Sequence, residues 1–248
     1  MIAGCAHTRA GDSGKADAAP VAAGDEQDFE LDHFRWRGDI TGSGTVIATN
    51  EWGDLRIRTT HRGEMAVSAV IQKIGTTEDE FEIHIEPTAG QVEVDVASLT
   101  AQPGGRVDLT LFVPPGLVLE ARTLDGLAEI KYSGDIDVQT RGGQILITSA
   151  QTARAKSVSG DVVIRLDGND WPAPFAFESA SGDITLSVPE DANAELHVRT
   201  QGAINPGLPA ESRVTRHEAG FDATLGGGGS ELTIRSDSGD VRIVARPL

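Results

Sequence analysis

Cys5 is the only cysteine among 248 residues, which excludes an internal disulfide and any cysteine-built metal site. The six histidines are scattered, with no close pair at ligand spacing. Aromatic residues are few, at three Trp, one Tyr and seven Phe, and there are only two Met. No apolar run approaches the roughly 18 residues of a membrane-spanning helix. Basic residues are outnumbered 38 to 21 by acidic ones, giving a formal net charge of −17. Such a surface repels phosphate backbones and anionic headgroups, arguing against nucleic acid and charge-driven membrane binding. No Gly-x-Ser-x-Gly elbow, P-loop, Rossmann glycine pattern or His-Glu-x-x-His appears. No cofactor and no metal are expected.

What the chain does have is glycine, 29 residues of it, and Val, Ile and Leu in short alternating stretches. These read as strands, and no segment sustains a helical period. Strands are expected in "GTVIAT", "DLRIRT", "EMAVSAVI", "EFEIHIE" and "QVEVDV". Further on, "ARAKSVSGDVVI", "FAFESASGDITL" and "LTIRSDSGDVRI" share one template: apolar, x, apolar, x, Ser, x, Ser-Gly-Asp, apolar, x, apolar. The repeated triplets are Ser159-Gly160-Asp161, Ser181-Gly182-Asp183 and Ser238-Gly239-Asp240, with a fourth at Ser133-Gly134-Asp135. Degenerate copies in "LEARTLDG", "LHVRTQGAI" and "NEWGDLRI" keep a strand and its glycine.

In one copy, Phe175 and Phe177 precede the glycine on odd positions, whereas Ile184 and Leu186 follow it on even ones. A continuous strand would turn one pair away from the core, so the chain must bend at Ser-Gly-Asp. Glycine is expected to supply a positive φ there, with Ser and Asp bonding nearby backbone N–H groups. Units of this kind over Gly126–Gly202 predict an all-β fold, a β-helix or β-solenoid-like stack of strand–Gly corner–strand repeats. An antiparallel β-sandwich with hairpins at these corners is the alternative. The spacing is broken by "DGNDWPAP" and by a longer insertion between Ile204 and Leu232.

The first residues resemble a bacterial lipoprotein. Ile2-Ala3-Gly4-Cys5 has the form of a lipobox, and a polar Ala/Gly/Asp stretch follows that cannot bury enough apolar surface to fold. Cys5 is the expected lipidation site, although only Met1 stands where the apolar stretch of a signal peptide would lie. Residues 1–27 are therefore read as a tether and 28–248 as one domain. Its strand-rich first part runs to about 112, and its Ser-Gly-Asp part spans about 113–248.

From about Phe34 to Val244 the chain resembles the bacterial DUF4097 family, often given an adhesin label. The carriers are "FRWRGDITGSGTVIATNEWGDLRI", Val113-Pro114, Val188-Pro189, the Ser-Gly-Asp corners and the closing "GGGGSELTIRSDSGDVRI". The resemblance implies a β-solenoid-like fold and an envelope or surface association. It transfers no catalytic or binding residues.

Asp135, Asp161, Asp183 and Asp240 could form a carboxylate ladder that binds Ca²⁺ or acts on sugars, or could simply satisfy turns. Trp36 and Trp52 sit beside Gly-Asp corners, and Trp171, in the "NDWPAP" insertion, is the candidate for carbohydrate contact. "RTTHRG" and "SRVTRHEAG" carry His61 and His217 in small basic patches that read as solvated loops. The expectation is a non-enzymatic, monomeric envelope protein, touching the membrane only through lipid on Cys5, with an envelope polymer or surface protein as partner. A carbohydrate-active enzyme and a self-assembling structural protein are the competing readings.

Overall fold

The computed structural model describes residues 29–40, 44–75, 78–149 and 151–247. Residues 1–27, expected to be a tether, and with them Cys5, lie outside these ranges. Among the described residues there are 21 strands and no helix.

The described residues start on an edge strand, β1 (Phe29–Asp39), and then make the first turn of the stack with β2 (Thr45–Asn50) and β3 (Leu55–Thr59). The long β4 (Glu64–Ile74) and β5 (Phe81–Thr88) lead to a second turn, β6 (Gln91–Ser98) and β7 (Arg106–Val113). Four regular turns follow: β8 (Val118–Thr123) with β9 (Ala128–Tyr132), then β10 (Asp135–Thr140) with β11 (Ile145–Ser149). They continue as β12 (Ala153–Ser157) with β13 (Val162–Leu166) and β14 (Phe175–Ser179) with β15 (Ile184–Pro189). The path ends with β16 (Ala194–Arg199), β17 (Ile204–Gly207), β18 (Arg213–His217), β19 (Gly220–Leu225), β20 (Ser230–Ser236) and β21 (Val241–Arg246).

The first strand of each pair lies in one sheet and the second in the other, so each pair is one rung of a two-sheet solenoid. The eight rungs stack in the order β6/β7, β2/β3, β8/β9, β10/β11, β12/β13, β14/β15, β20/β21, β16/β17. Successive rungs pair parallel and in register, as in Ile145↔Val162 and Ile147↔Ile164, or Phe175↔Leu232 and Phe177↔Ile234. The parity change predicted at the corner is therefore real: the chain crosses between sheets there, and Phe175, Phe177, Ile184 and Leu186 are all buried in the one core. A sandwich of hairpins is excluded by this parallel register.

Chain order and stacking order differ at both ends. The rung β6/β7 lies outside β2/β3, and β20/β21 slips between β14/β15 and β16/β17. Antiparallel strands close the ends: β4 and β1 beyond β7, β5 beyond β6, and the β18–β19 hairpin beyond β16. The edges are blunted in ways that oppose further stacking. β17 has four residues and carries Pro206; β18 is exposed throughout; β1 places Asp32 on the same side as the core-packed Phe34 and Trp36. Asp32 meets Lys73 Nζ at 2.8 Å, and Asp79 contacts the same ammonium at 2.8 Å.

Candidate functional site

The repeated corner is a stacking device. At Gly53, Gly126, Gly143, Gly160, Gly182, Gly239 and Gly202, a Cβ would stand less than 3.0 Å from a backbone carbonyl oxygen of the preceding rung. From Gly126 onward that oxygen belongs to the previous glycine of the column. None of these seven has a positive φ. The expectation of a left-handed corner is thus corrected: glycine is required because the next backbone lies where a side chain would be.

The residue three before each glycine, or two before in the case of Gly202, forms a second, buried column. It runs Asn50, Thr123, Thr140, Ser157, Ser179, Ser236 and Thr200, all at most 7% exposed. Their side-chain oxygens accept from corner N–H groups: Gly143 to Thr140 at 3.0 Å, Gly182 to Ser179 at 2.8 Å, Gly239 to Ser236 at 2.9 Å. Gly202 donates likewise to Thr200 at 2.9 Å. Ser157 stands in the same column, yet its Oγ has no partner among the described residues. The first Ser of the template is thus the buried structural one. The Ser of Ser-Gly-Asp is exposed, its Oγ donating to a carbonyl of the neighbouring rung, as Ser159 does to Arg141.

The corner aspartates also bond between rungs. Asp161 Oδ1 accepts from Asp183 N at 3.0 Å, Asp183 Oδ1 from Asp240 N at 2.8 Å, and Asp240 Oδ1 from Ala203 N at 2.8 Å. They line a shallow cavity of about 270 Å³ with Asn205 and Arg242 and no aromatic residue. No group of acidic, His or Cys side chains among the described residues is arranged to hold a metal. Ser133-Gly134-Asp135 departs from the other triplets. It joins β9 to β10 at the opposite corner, where Gly134 makes room for the Tyr132 ring and the Leu117 carbonyl, so Asp135 is not part of the ladder.

Trp171 is 3% exposed, its Nε1 donating to the Asp167 carbonyl at 3.0 Å and its ring edge-on to Phe175 at 5.6 Å. The insertion folds inward and fills the corner before β14, which removes Trp171 as a stacking platform for sugars. Trp52 packs against Phe81 and the core.

A cavity of about 440 Å³ lies at the other end of the molecule, on the outer face beside β1. Across β1, β4, β7 and β3 one row of outward positions reads Arg37, Ala66, Phe112, Arg58, and the next Arg35, Ser68, Thr110, Arg56. Ala66 and Ser68 are short, so a trough opens between the arginines of β1 and the Phe112 ring, which is 42% exposed. Thr60, Arg62 and Glu64, where β3 passes into β4, close one end. Arg58 is tied to Glu129 at 2.8 Å, and Arg37 reaches Glu64 only at 3.7 Å. Arg35 and Arg62 have no ion pair among the described residues. In the sequence this site is marked only by "RWRGD" and "RTTHRG", two basic strings whose meeting depends on the β1–β4 pairing.

A third polar cluster ties the end hairpin down. Asp222 on β19 is hydrogen-bonded to His197 at 3.0 Å, His217 at 2.6 Å and Arg199 at 2.8 Å. Those bonds, His197 first, hold its carboxyl well below the usual carboxylate range.

The sequence profile described as Toastrack DUF4097 matches residues 119–244, from the third rung to the last strand. The chain belongs to this family. The rungs before residue 119 extend the same Toastrack stack toward the N-terminus. Among solved structures, a "putative cell adhesion protein" from Clostridium sporogenes ATCC 15579 shares the fold. It has a TM-score of 0.52 at 13% identity, over 88% of this chain and all (100%) of that one. A "putative adhesin" from Bacteroides fragilis NCTC 9343 aligns more loosely, with a TM-score of 0.33 at 11% identity over 86% and 97% of the two chains. No curated protein matches.

Proposed function

We propose that this Toastrack chain is a non-enzymatic interaction module of the bacterial cell envelope, held to a membrane by lipid on Cys5. The observation that carries the reading is what the repeats are used for. The column glycines, the buried Ser236 and Thr200 hydroxyls, and Asp161, Asp183 and Asp240 are engaged with neighbouring rungs, so the repetition builds a rigid stack rather than a reaction centre. Eight rungs, seven intervals of about 4.8 Å, span about 34 Å, the dimension of a small post with two sheet faces. The chain enters at β1, at one end of the stack, so a tether anchored at Cys5 would leave the opposite end and both faces free for contact. Blunted edges support a monomer rather than a self-assembling fibre. The adhesion label of the Clostridium sporogenes structure agrees with such a role. The carbohydrate-active alternative asks for two free carboxylates facing each other beside an aromatic. The aspartate groove supplies neither a free pair nor a ring.

The test is the intact mass of the N-terminal peptide from native cells, with envelope fractionation. A peptide starting at Cys5 and carrying diacylglycerol and acyl mass, in the membrane fraction, is the expected result. An unmodified N-terminus on a cytosolic protein overturns the proposal.

A further inference from the structure

We infer that the trough beside β1 binds an acidic sugar unit, a hexuronate-type ring carrying a carboxylate, in an anionic polysaccharide. The inference rests on the interaction reading above and gives it a site and a ligand class. The trough is a positive spot on a chain of net charge −17: Arg35, Arg37 and Arg62 face Glu64 alone among its lining residues. Guanidinium groups match a carboxylate with paired, charge-assisted hydrogen bonds, and Arg35 and Arg62 have no such partner among the described residues.

The rest of the lining narrows the class. An exposed Phe112 ring offers a flat apolar surface to the C–H face of a pyranose, at a place where the small Ala66 leaves the ring uncovered. Glu64, together with Thr60 and Ser68, supplies acceptors for hydroxyl groups. A carboxylate in the wall disfavours a bare phosphate, which has charge and no hydroxyl donors to offer it. A volume of about 440 Å³ lies within the usual range for small-ligand sites, about 300–1,000 Å³. Anion, apolar face and hydroxyl donors occur together in a uronic acid.

The experiment is titration of the full chain with polygalacturonate, followed calorimetrically, with neutral dextran, polyglutamate and polyphosphate as comparison probes. Arg35→Gln/Arg62→Gln and Phe112→Ser test the site; Asp161→Asn, at the far groove, is the control. The expected result is saturable binding of polygalacturonate that weakens with salt and falls about tenfold or more in the double arginine variant. It also falls in Phe112→Ser and is unchanged in Asp161→Asn, while dextran does not bind. Equal binding of polyglutamate or polyphosphate would overturn the sugar class. Polygalacturonate binding that both site variants retain would overturn the site, as would its complete absence. Pull-down of the same variants on purified envelope material separates this inference from the broader reading. Retention by wild type and variants alike defeats the trough and leaves an interaction module; no retention of the wild type defeats both. Circular dichroism confirms folding, and Arg35→Lys/Arg62→Lys, which keeps charge without the planar fork, is expected to recover only part of the affinity.

Discussion

Gly160→Ala is the sharpest test of the stacking argument. Gly160 has no positive φ, so alanine is compatible with its backbone and any cost must come from the neighbouring rung. The new methyl would overlap the Gly143 carbonyl, meeting its carbon at 2.6 Å and the Gly142 oxygen at 2.7 Å. Relief needs the two corners to part by about 1 Å, since both contacts are backbone and cannot rotate away. That movement falls on the bonds that join the corners: Ser159 N to Arg141 O and Ile145 N to Asp161 O, each 2.8 Å. Losing two such bonds at about 1–1.5 kcal/mol each gives about 2–3 kcal/mol. For a chain of this size that lowers Tm by about 4–12 °C, at about 2–4 °C per kcal/mol. The assay is thermal and urea unfolding by circular dichroism, with two comparison variants. Gly63→Ala has open space within 4 Å and no positive φ, and is expected to be neutral or slightly stabilising. Gly160→Asn discriminates the mechanism: asparagine tolerates a left-handed backbone, so it would outperform alanine if φ were the requirement. The expectation is that it is at least as damaging as alanine. A Gly160→Ala protein within about 0.5 kcal/mol of wild type, or an asparagine variant better than the alanine one, would refute close stacking as the reason for the glycine.

Ser179→Ala should cost about 1 kcal/mol by leaving the buried Gly182 N–H without its 2.8 Å acceptor, whereas Ser157→Ala, whose hydroxyl has no partner, should be neutral; equal losses in urea unfolding would contradict this. Trp171→Ala should destabilise by about 3–5 kcal/mol, and a wild-type Trp171 readily quenched by acrylamide would show that it is not buried as described. The lowered carboxyl of Asp222 means that its contribution is complete above the ordinary carboxylate range and is lost as pH falls below about 4. Hydrogen-exchange protection in β18 and β19, taken relative to the intrinsic rate at each pH, should therefore fall in acid, and Asp222→Asn should weaken the hairpin at neutral pH and flatten that dependence; an unchanged acid limb would count against the cluster as the clasp. Replacing Lys73 and Asp32 by Val removes the charges guarding the β1 edge and is expected to yield concentration-dependent dimers by light scattering.

Much of this architecture was legible because side-chain period and backbone geometry are local. The parity switch from Phe177 to Ile184 requires a crossing between two faces, and strings such as "DLRIRT" and "QVEVDV" announce strands whatever their neighbours. The reasons for the repeated letters were not local. Gly160 resembles a turn glycine in sequence, and only the carbonyl of Gly143, 17 residues away, shows that it is a contact glycine. Asp183 resembles a residue serving its own turn, but its acceptor oxygen serves Asp240, 57 residues on, across a rung exchange that no spacing encodes. Trp171 reads as a loop tryptophan until the insertion is seen to fold back on Phe175. The arginine trough follows the same logic in reverse. Arg35 and Arg62 lie in unremarkable strings 27 residues apart, and β1 had to pair with β4 before they could share a wall with Phe112. In a solenoid, repetition marks the residues that hold rungs together. Specific chemistry is then most visible where the repeat stops, at the antiparallel end strands whose outer side chains have no rung-to-rung duty to perform.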